Sequence, residues 1–139
     1  MQSVYPNSAS MATPTEIRHA YRHLYRNILK AVQYTIPARF VARDQLRRAF
    51  REPGATYDGR GIKRTIWFLQ AAAKEKGLEH KILKNLLRVR QMRYQKRDYS
   101  ANDPLKHVAQ EMKDANMTAY NHYDMTVAML NKTMGICLR

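Results

Sequence analysis

Apolar residues recur every three or four positions along most of this chain, and no segment keeps up an alternation of apolar and polar residues. Such intervals place the apolar side chains on one face of an α-helix. Near the start of the chain the series is Ile17, Tyr21, Leu24, Ile28 and Val32. Near its end the series is Tyr120, Tyr123, Val127, Leu130 and Met134. The spacing therefore predicts an all-α protein whose amphipathic helices pack their apolar faces together.

Capping residues and glycines predict where these helices begin and end. Thr13 to Glu16 reads Thr-Pro-Thr-Glu, a capping box with proline at the first helical position. Asp58 and Asp103 are further N-cap candidates, and Gly135 ends the last helix. The predicted helices span about 14–35, 38–51, 61–76, 78–98, 103–115 and 117–134. Gly77 either separates the third and fourth helices or only bends one continuous rod.

The length of the chain predicts one domain. With 139 residues it can bury a sizeable core without a metal or disulfide staple. Its single cysteine, Cys137, excludes an internal disulfide framework and fits a reducing compartment. We expect a disordered tail at 1–12, a helical bundle at 13–100 and a helical extension at 101–139 packed on the same domain. No run of 18 apolar residues occurs, so no membrane span is expected.

Basic residues are concentrated in two stretches. The chain has 25 Lys and Arg against 11 Asp and Glu, a net charge of +14. Residues 18–51 contain nine basic residues and one acidic residue, and residues 81–97 contain seven and none. A solvated helix face is the usual explanation of a charge run, but such a face normally carries i,i+4 ion pairs, which are missing here. The pattern favours surfaces that bind an acidic partner: nucleic acid, anionic lipid or an acidic protein.

The sequence offers little that could carry catalysis. It has no GxxxxGK[ST], GxGxxG, HExxH or GxSxG motif, and its carboxylates are scarce. His19 and His23 lie four residues apart on one helical face, a spacing that can hold a metal ion. The one nearby residue that could supply a third ligand is Glu16, which is better suited to the helix cap. We therefore expect a protein that is not an enzyme, with no catalytic residue and no metal site.

Tyrosine is frequent, with nine residues against one Trp and three Phe. Tyr94 and Tyr99 interleave with Arg93, Lys96 and Arg97, and aromatic rings beside cations suit RNA because rings stack bases while cations hold phosphate. The other interpretation is that these tyrosines pack at the edge of an ordinary helical core. The predicted face for nucleic acid or an acidic partner comprises Lys81, Lys84, Arg88, Arg90, Arg93, Lys96 and Arg97.

The tripeptide Leu24-Tyr25-Arg26 lies in the first predicted helix, within YRHLYRNILKAV, and RRAFRE follows at 47–52 at the end of the second. On these residues, chiefly over 15–98, the chain resembles the LYR-motif family of small, basic, helical mitochondrial proteins. Residues 82–94 (ILKNLLRVRQMRY) and 130–135 (LNKTMG) resemble a fungal branch of it that is linked to respiratory growth.

The resemblance implies a three-helix bundle that binds the mitochondrial acyl carrier protein in the matrix. It implies that the carrier's acyl-4′-phosphopantetheine inserts between the helices, so the chain would need no cofactor of its own. Carried over, Leu24 would line the acyl tunnel, Phe50 would close it, and Arg26, after Tyr25, would face the carrier. We add four basic neighbours from their charge alone: Arg22, Lys30, Arg47 and Arg48.

Two function classes follow. The first is a non-catalytic adaptor or accessory subunit that brings acyl carrier protein to a respiratory complex, the iron–sulfur machinery or the mitoribosome. The alternative is a basic helical protein that binds RNA or DNA directly. The helical extension after residue 103 is not part of the three-helix pattern. Its methionines are suited either to a core or to an adaptable interface. They are Met112, Met117, Met125, Met129 and Met134.

Overall fold

A computed structural model describes residues 12–99 and 106–138, with side chains for 12–93, 114, 115 and 117–138. Every regular element in these residues is an α-helix, which confirms the predicted all-α class. The helices are α1 Pro14–Ala31, α2 Ala38–Arg51, α3 Gly59–Lys74, α4 Leu78–Tyr99 and α5 Lys106–Met134. The predicted tail, up to residue 11, and the predicted cap at Asp103 lie outside the described residues.

The helix starts follow the capping residues in the sequence. The Thr13 hydroxyl accepts from the Glu16 backbone N–H, and the Glu16 carboxylate accepts from the Thr13 N–H at 2.9 Å, which confirms the capping box. Asp58 caps α3 by accepting from the Gly61 N–H at 3.1 Å. Gly135 follows α5 with a φ of +65°, a conformation that favours glycine.

Several helix boundaries differ from the predictions. α3 begins at Gly59 and ends at Lys74, two residues before each of the predicted bounds of 61–76. α1 ends at Ala31, four residues early, because the chain turns away through Gln33 and Tyr34, both of which have positive φ. Val32 is nevertheless buried, so its place in the apolar series reflects packing after the helix has ended. The two helices predicted over 103–134 are one continuous α5, whose described backbone begins at Lys106.

Helices α1 to α4 enclose the core. α1 packs on α2 and α3, and α4 packs on α2 and α3, so the four helices form a closed ring of neighbours. Because α3 and α4 pack against each other, Gly77 separates two helices and does not merely bend one. The buried centre consists of small and medium apolar side chains, which lets the helices approach closely. They include Leu24, Ala31, Ala42, Phe68, Leu69, Ala72, Leu83 and Leu87.

Helix α5 is attached to α4 by an arginine held between aromatic rings. The Arg93 guanidinium donates to the Asp124 carboxylate at 2.7 Å and lies 4.5 Å from the centre of the Tyr120 ring. It also lies 5.7 Å from the centre of the Tyr123 ring. Burial raises the pKa of Tyr123, although Arg93 and Arg90 act to lower it. Further along α5, Val127 packs against the core of the bundle.

The outer surface of α5 is rich in methionine. Met117, Met125 and Met129 are all more than half exposed, so they are not core residues. No described helix combines the length and the apolar character needed to cross a membrane.

Candidate binding cavity and cationic surfaces

An apolar cavity lies inside the ring of α1 to α4. Its volume is about 240 Å³. At about 30 Å³ for a methylene group, roughly the volume of one water molecule in the liquid, it accommodates about eight methylene groups. It is partly open to solvent, and its lining comes from all four helices, from the loop 55–58 between α2 and α3, and from residues 137 and 138. The main apolar contributors are Ile17, Leu24, Ile28, Ala42, Leu46, Ala49, Phe50, Ile62, Leu69, Leu83, Leu86, Leu87 and Leu138.

Two of the residues that the family resemblance assigns to the acyl site line this same cavity. Leu24 is buried on the inner face of α1, and Phe50 is partly buried near the end of α2. The Phe50 ring meets the Tyr21 ring edge to face with centroids 5.3 Å apart, and Tyr21 stacks on Tyr25 at 6.0 Å. Tyr25 thus helps to hold the α1–α2 contact beside the cavity without lining it.

Polar groups reach the cavity at a few points only. Gln45 of α2 lines it, and the buried Oε1 atom of that side chain has no hydrogen-bond partner among the described residues. A buried amide oxygen without a partner is costly, and it suits a ligand that carries an N–H or O–H group. Neither Gln45 nor the alanines at 42 and 49 could be assigned to the cavity from sequence, since nothing in their spacing separates them from ordinary core.

The residues that follow α5 complete the cavity wall. The Asn131 side chain accepts from the Leu138 N–H at 2.9 Å and donates to the Leu138 carbonyl, which folds residues 136–138 back onto the bundle. The Cys137 N–H donates to the hydroxyl of buried Thr65 at 2.9 Å, and that hydroxyl donates to the Gly61 carbonyl at 2.7 Å. This wall could not be predicted from the sequence, because Cys137 and Thr65 lie 72 residues apart.

The thiol of Cys137 lies at the edge of the cavity near the N-terminus of α3. Burial raises its pKa, the nearby Asp58 carboxylate raises it further, and a hydrogen bond with Thr65 opposes both. Because the thiolate is the nucleophile, a raised pKa slows alkylation near neutral pH.

We expect iodoacetamide to alkylate folded Cys137 at pH 8 more slowly than it alkylates the same chain unfolded in urea. Asp58→Asn should raise the rate, because asparagine still caps α3 but removes the negative charge beside the thiol. Mass spectrometry of timed samples measures the rate without ambiguity, since the chain has one cysteine. An unchanged rate in Asp58→Asn would show that the carboxylate does not influence the thiol.

Basic side chains form two regular rows outside the cavity. The row on α1 is Arg18, Arg22, Arg26 and Lys30, and the row on α2 is Arg39, Arg43, Arg47 and Arg51, each with a spacing of four. All four side chains of the α1 row are exposed. On α2, Arg39 and Arg43 are partly buried against the Phe40 ring, while Arg47 and Arg51 are exposed. The predicted carrier-binding residues Arg22, Arg26, Lys30 and Arg47 all belong to these rows, and predicted Arg48 is exposed beside them on α2.

Like charges four residues apart repel each other, so each row costs the helix some stability. Only two carboxylates stand on these helices. Glu16 is used in the cap of α1, and Asp44 pairs with Arg43 at 3.2 Å. The rows therefore present a strongly positive surface around the α1–α2 pair, which attracts an acidic partner and makes its affinity sensitive to salt.

The second predicted basic face divides in the structure. Lys81, Lys84 and Arg88 are exposed along α4, and the last two edge a separate pocket of about 450 Å³ beside the turn after α1. Arg93, in contrast, is not part of an open face, because Asp124 and the α5 tyrosines enclose it. Arg90 is partly buried beside it. The side chains of Lys96 and Arg97 lie outside the described residues.

No group of three or more potential metal ligands is present in the part of the chain that the structure describes. His19 and His23 are both exposed on α1. The arrangement is one that can hold a flexible apolar chain and attract a negatively charged macromolecule.

Comparison with known proteins yields a mitochondrial relative. A protein of the fission yeast Schizosaccharomyces pombe, named as a UPF0593 mitochondrial protein, is 39% identical to this chain over 77 residues. The similar stretch covers 53% of this chain and 62% of the yeast protein, less than two thirds of the relative's length. No protein-family model matches the chain, and no solved structure matches it.

Proposed function

We propose that this protein is a non-catalytic adaptor of the mitochondrial matrix that binds acylated acyl carrier protein. The observation that carries the proposal is the apolar cavity lined by Leu24 and Phe50 beside the cationic rows of α1 and α2. An acyl carrier presents the matching chemistry, an apolar chain on an acidic protein. The name of the fission yeast relative supports the mitochondrial location.

The cavity would take the acyl chain. Burying about eight methylene groups at about 0.8 kcal/mol each gives roughly 6 kcal/mol of gross stabilisation, a large part of a micromolar affinity. The phosphopantetheine arm that carries the chain contains amide groups, and an arm N–H could satisfy the buried Gln45 oxygen. The carrier supplies this prosthetic group, so the adaptor needs no cofactor of its own.

The cationic rows would meet the carrier's acidic surface. Arg26 is exposed on α1 two residues beyond cavity-lining Leu24, so it can contact the carrier while Leu24 contacts the acyl chain. Through this contact the adaptor would deliver the carrier to a client: a respiratory complex, the iron–sulfur machinery or the mitoribosome. The exposed methionine surface of α5 is the part of the chain that we assign to the client.

Charge reversal at Arg26 tests the proposal. We expect Arg26→Glu to weaken binding of the purified acylated carrier by roughly tenfold, about 1.4 kcal/mol, and to reduce the salt dependence of binding. Titration calorimetry of the full-length chain at two salt concentrations measures both effects.

The matched control is Lys76→Glu, which makes the same charge change at an exposed lysine between α3 and α4. A carrier without its acyl chain should bind more weakly than the acylated form. Equal effects of the two reversals, or equal affinity for both forms of the carrier, would overturn the proposal. A tagged pull-down from mitochondria that recovers nuclease-sensitive RNA and no acyl carrier would favour the nucleic-acid alternative.

A further inference from the structure

The outer face of α3 carries an exposed tryptophan among cations. Trp67 is the single tryptophan of the chain, and its side chain is 67% exposed. Large aromatic side chains normally bury most of their surface, so this exposure calls for an explanation. The buried residues of α3, among them Thr65, Phe68 and Leu69, lie on the other side of the helix.

Helical spacing puts three cations on the same face as the indole. Arg60 and Lys74 lie seven residues before and after Trp67, and Lys63 lies four before it. Residues at these intervals share one helix face. All three cations are exposed, and none of them forms an ion pair among the described residues. From Arg60 to Lys74 the face is about 21 Å long at about 1.5 Å per residue.

Acidic residues are absent from α3 itself. The nearest carboxylates along the sequence belong to Asp58, which is engaged in the N-cap, and to Glu75, the residue after the helix. A solvated helix gains stability from acidic residues three or four positions from its basic ones. Four basic residues on one helix without such acids indicate a surface that binds polyanions. The fourth, Arg64, lies to one side and packs over Gly135.

We infer that this face, Arg60, Lys63, Trp67 and Lys74, binds single-stranded nucleic acid, with Trp67 stacking on a base and the cations holding the backbone phosphates. Stacking on an exposed ring and phosphate contacts from flanking cations are the two parts of sequence-tolerant single-strand recognition. This site is separate from the cavity and does not depend on carrier binding.

The composition of the face favours nucleic acid over other anionic partners. A protein hot spot surrounds its tryptophan with apolar contacts that exclude water. Here three of the four helical neighbours of the indole are polar, and the fourth, Ala71, is small and partly buried. The polar neighbours are Lys63, Arg64 and Gln70. A membrane-surface helix needs a broad apolar face toward the lipid, and the outward face of α3 has only the one indole.

Intrinsic fluorescence provides the test, because the chain's one tryptophan is the residue in question. Titration of the full-length protein with a 12-nucleotide oligouridine should quench Trp67 emission and do so in a saturable way. An abasic oligonucleotide of the same length has the same phosphates but no bases, so it should bind more weakly and cause no quenching.

Variants then separate stacking from charge, with anisotropy of a labelled oligonucleotide as the readout. Trp67→Ala should weaken binding roughly 5- to 150-fold, the loss of one stacked base, and Trp67→Phe should recover part of it. Lys63→Gln should lower the slope of log affinity against log salt by about 0.7. Leu78→Ala, at a residue of similar exposure (69%) on α4, is the matched control and should have no effect.

Several results would overturn the inference. They are equal quenching by the abasic strand, unchanged affinity in Trp67→Ala, or quenching by polyglutamate or anionic phospholipid vesicles but not by RNA. Thermal unfolding of each variant guards against a folding artefact, and a side chain as exposed as Trp67 should leave the melting temperature within about 2 °C of the parent protein.

Discussion

Replacing Ala49 by phenylalanine is expected to abolish insertion of the acyl chain while leaving the protein folded. Ala49 lines the cavity from α2 and is only partly buried, so a benzyl group there can point into empty space. Filling a cavity typically maintains or raises stability by about 0.5–2 kcal/mol. An ordinary loss-of-function substitution in the core lowers stability, so this combination of effects is diagnostic.

The expected loss of affinity is large. If an acyl chain of about eight carbons gains roughly 6 kcal/mol in the cavity, its exclusion should weaken carrier binding by at least about a hundredfold, even if the cationic contacts remain. Calorimetry with the acylated carrier, together with a thermal melt, measures both parts of the prediction.

The control is Ala128→Phe, the same substitution at an exposed position of α5. Carrier binding at the parental level in Ala49→Phe would mean that the acyl chain does not occupy the cavity. A sharply lower melting temperature would mean that the position has no room for the ring.

The second large effect is expected at Gly61, where α3 meets the chain end. A methyl group at Gly61 would collide with the Asp58 carboxylate that caps the helix, and it would come within 2.7 Å of the Cys137 sulfur. Both groups must give way: the Asp58 carboxylate shifts out of the N-cap, and the Cys137 side chain turns away from α3. Overpacking costs about 1–3 kcal/mol and a lost cap about 0.5–2 kcal/mol, so Gly61→Ala should destabilise the protein by about 3 kcal/mol.

Gly59→Ala is the matched control on the same helix. Its new methyl group would meet only the Tyr57 ring, at an ordinary 3.4 Å. Alanine is the better helix former, so this variant should gain a few tenths of a kcal/mol. Urea unfolding followed by circular dichroism gives both values. Similar stabilities for the two variants would contradict the close approach of Asp58 and Cys137 to Gly61.

Local signals were enough to predict most of the helices. The capping box at Thr13 predicted the start of α1, a signal that depends only on neighbouring residues. The predicted bounds of α2, 38–51, agree with the structure. The end of α1 was misplaced because Val32 continues the apolar series after the helix has stopped. In α5, the division into two helices was wrong since the backbone of the described residues runs through without a break.

The candidate site was predictable only in part. Leu24 and Phe50 were assigned to the acyl site by family resemblance. Both residues line the same cavity in the structure. Their roles in binding stay predictions. The contact between Thr65 and Cys137 joins distant parts of the chain and has no local signal. The exposure of Trp67 could have been inferred, because it lies off the apolar seam of α3 that passes through Ile62 and Leu69.

The wall formed by Cys137 and Leu138 links the cavity thermodynamically to the packing of residues 136–138. A ligand that contacts Leu138 favours the conformation in which this segment packs against the bundle, and by the same linkage release of the segment weakens binding of that ligand. The Cys137 and Leu138 amides both donate to side chains, so their hydrogen exchange reports whether the cavity is filled.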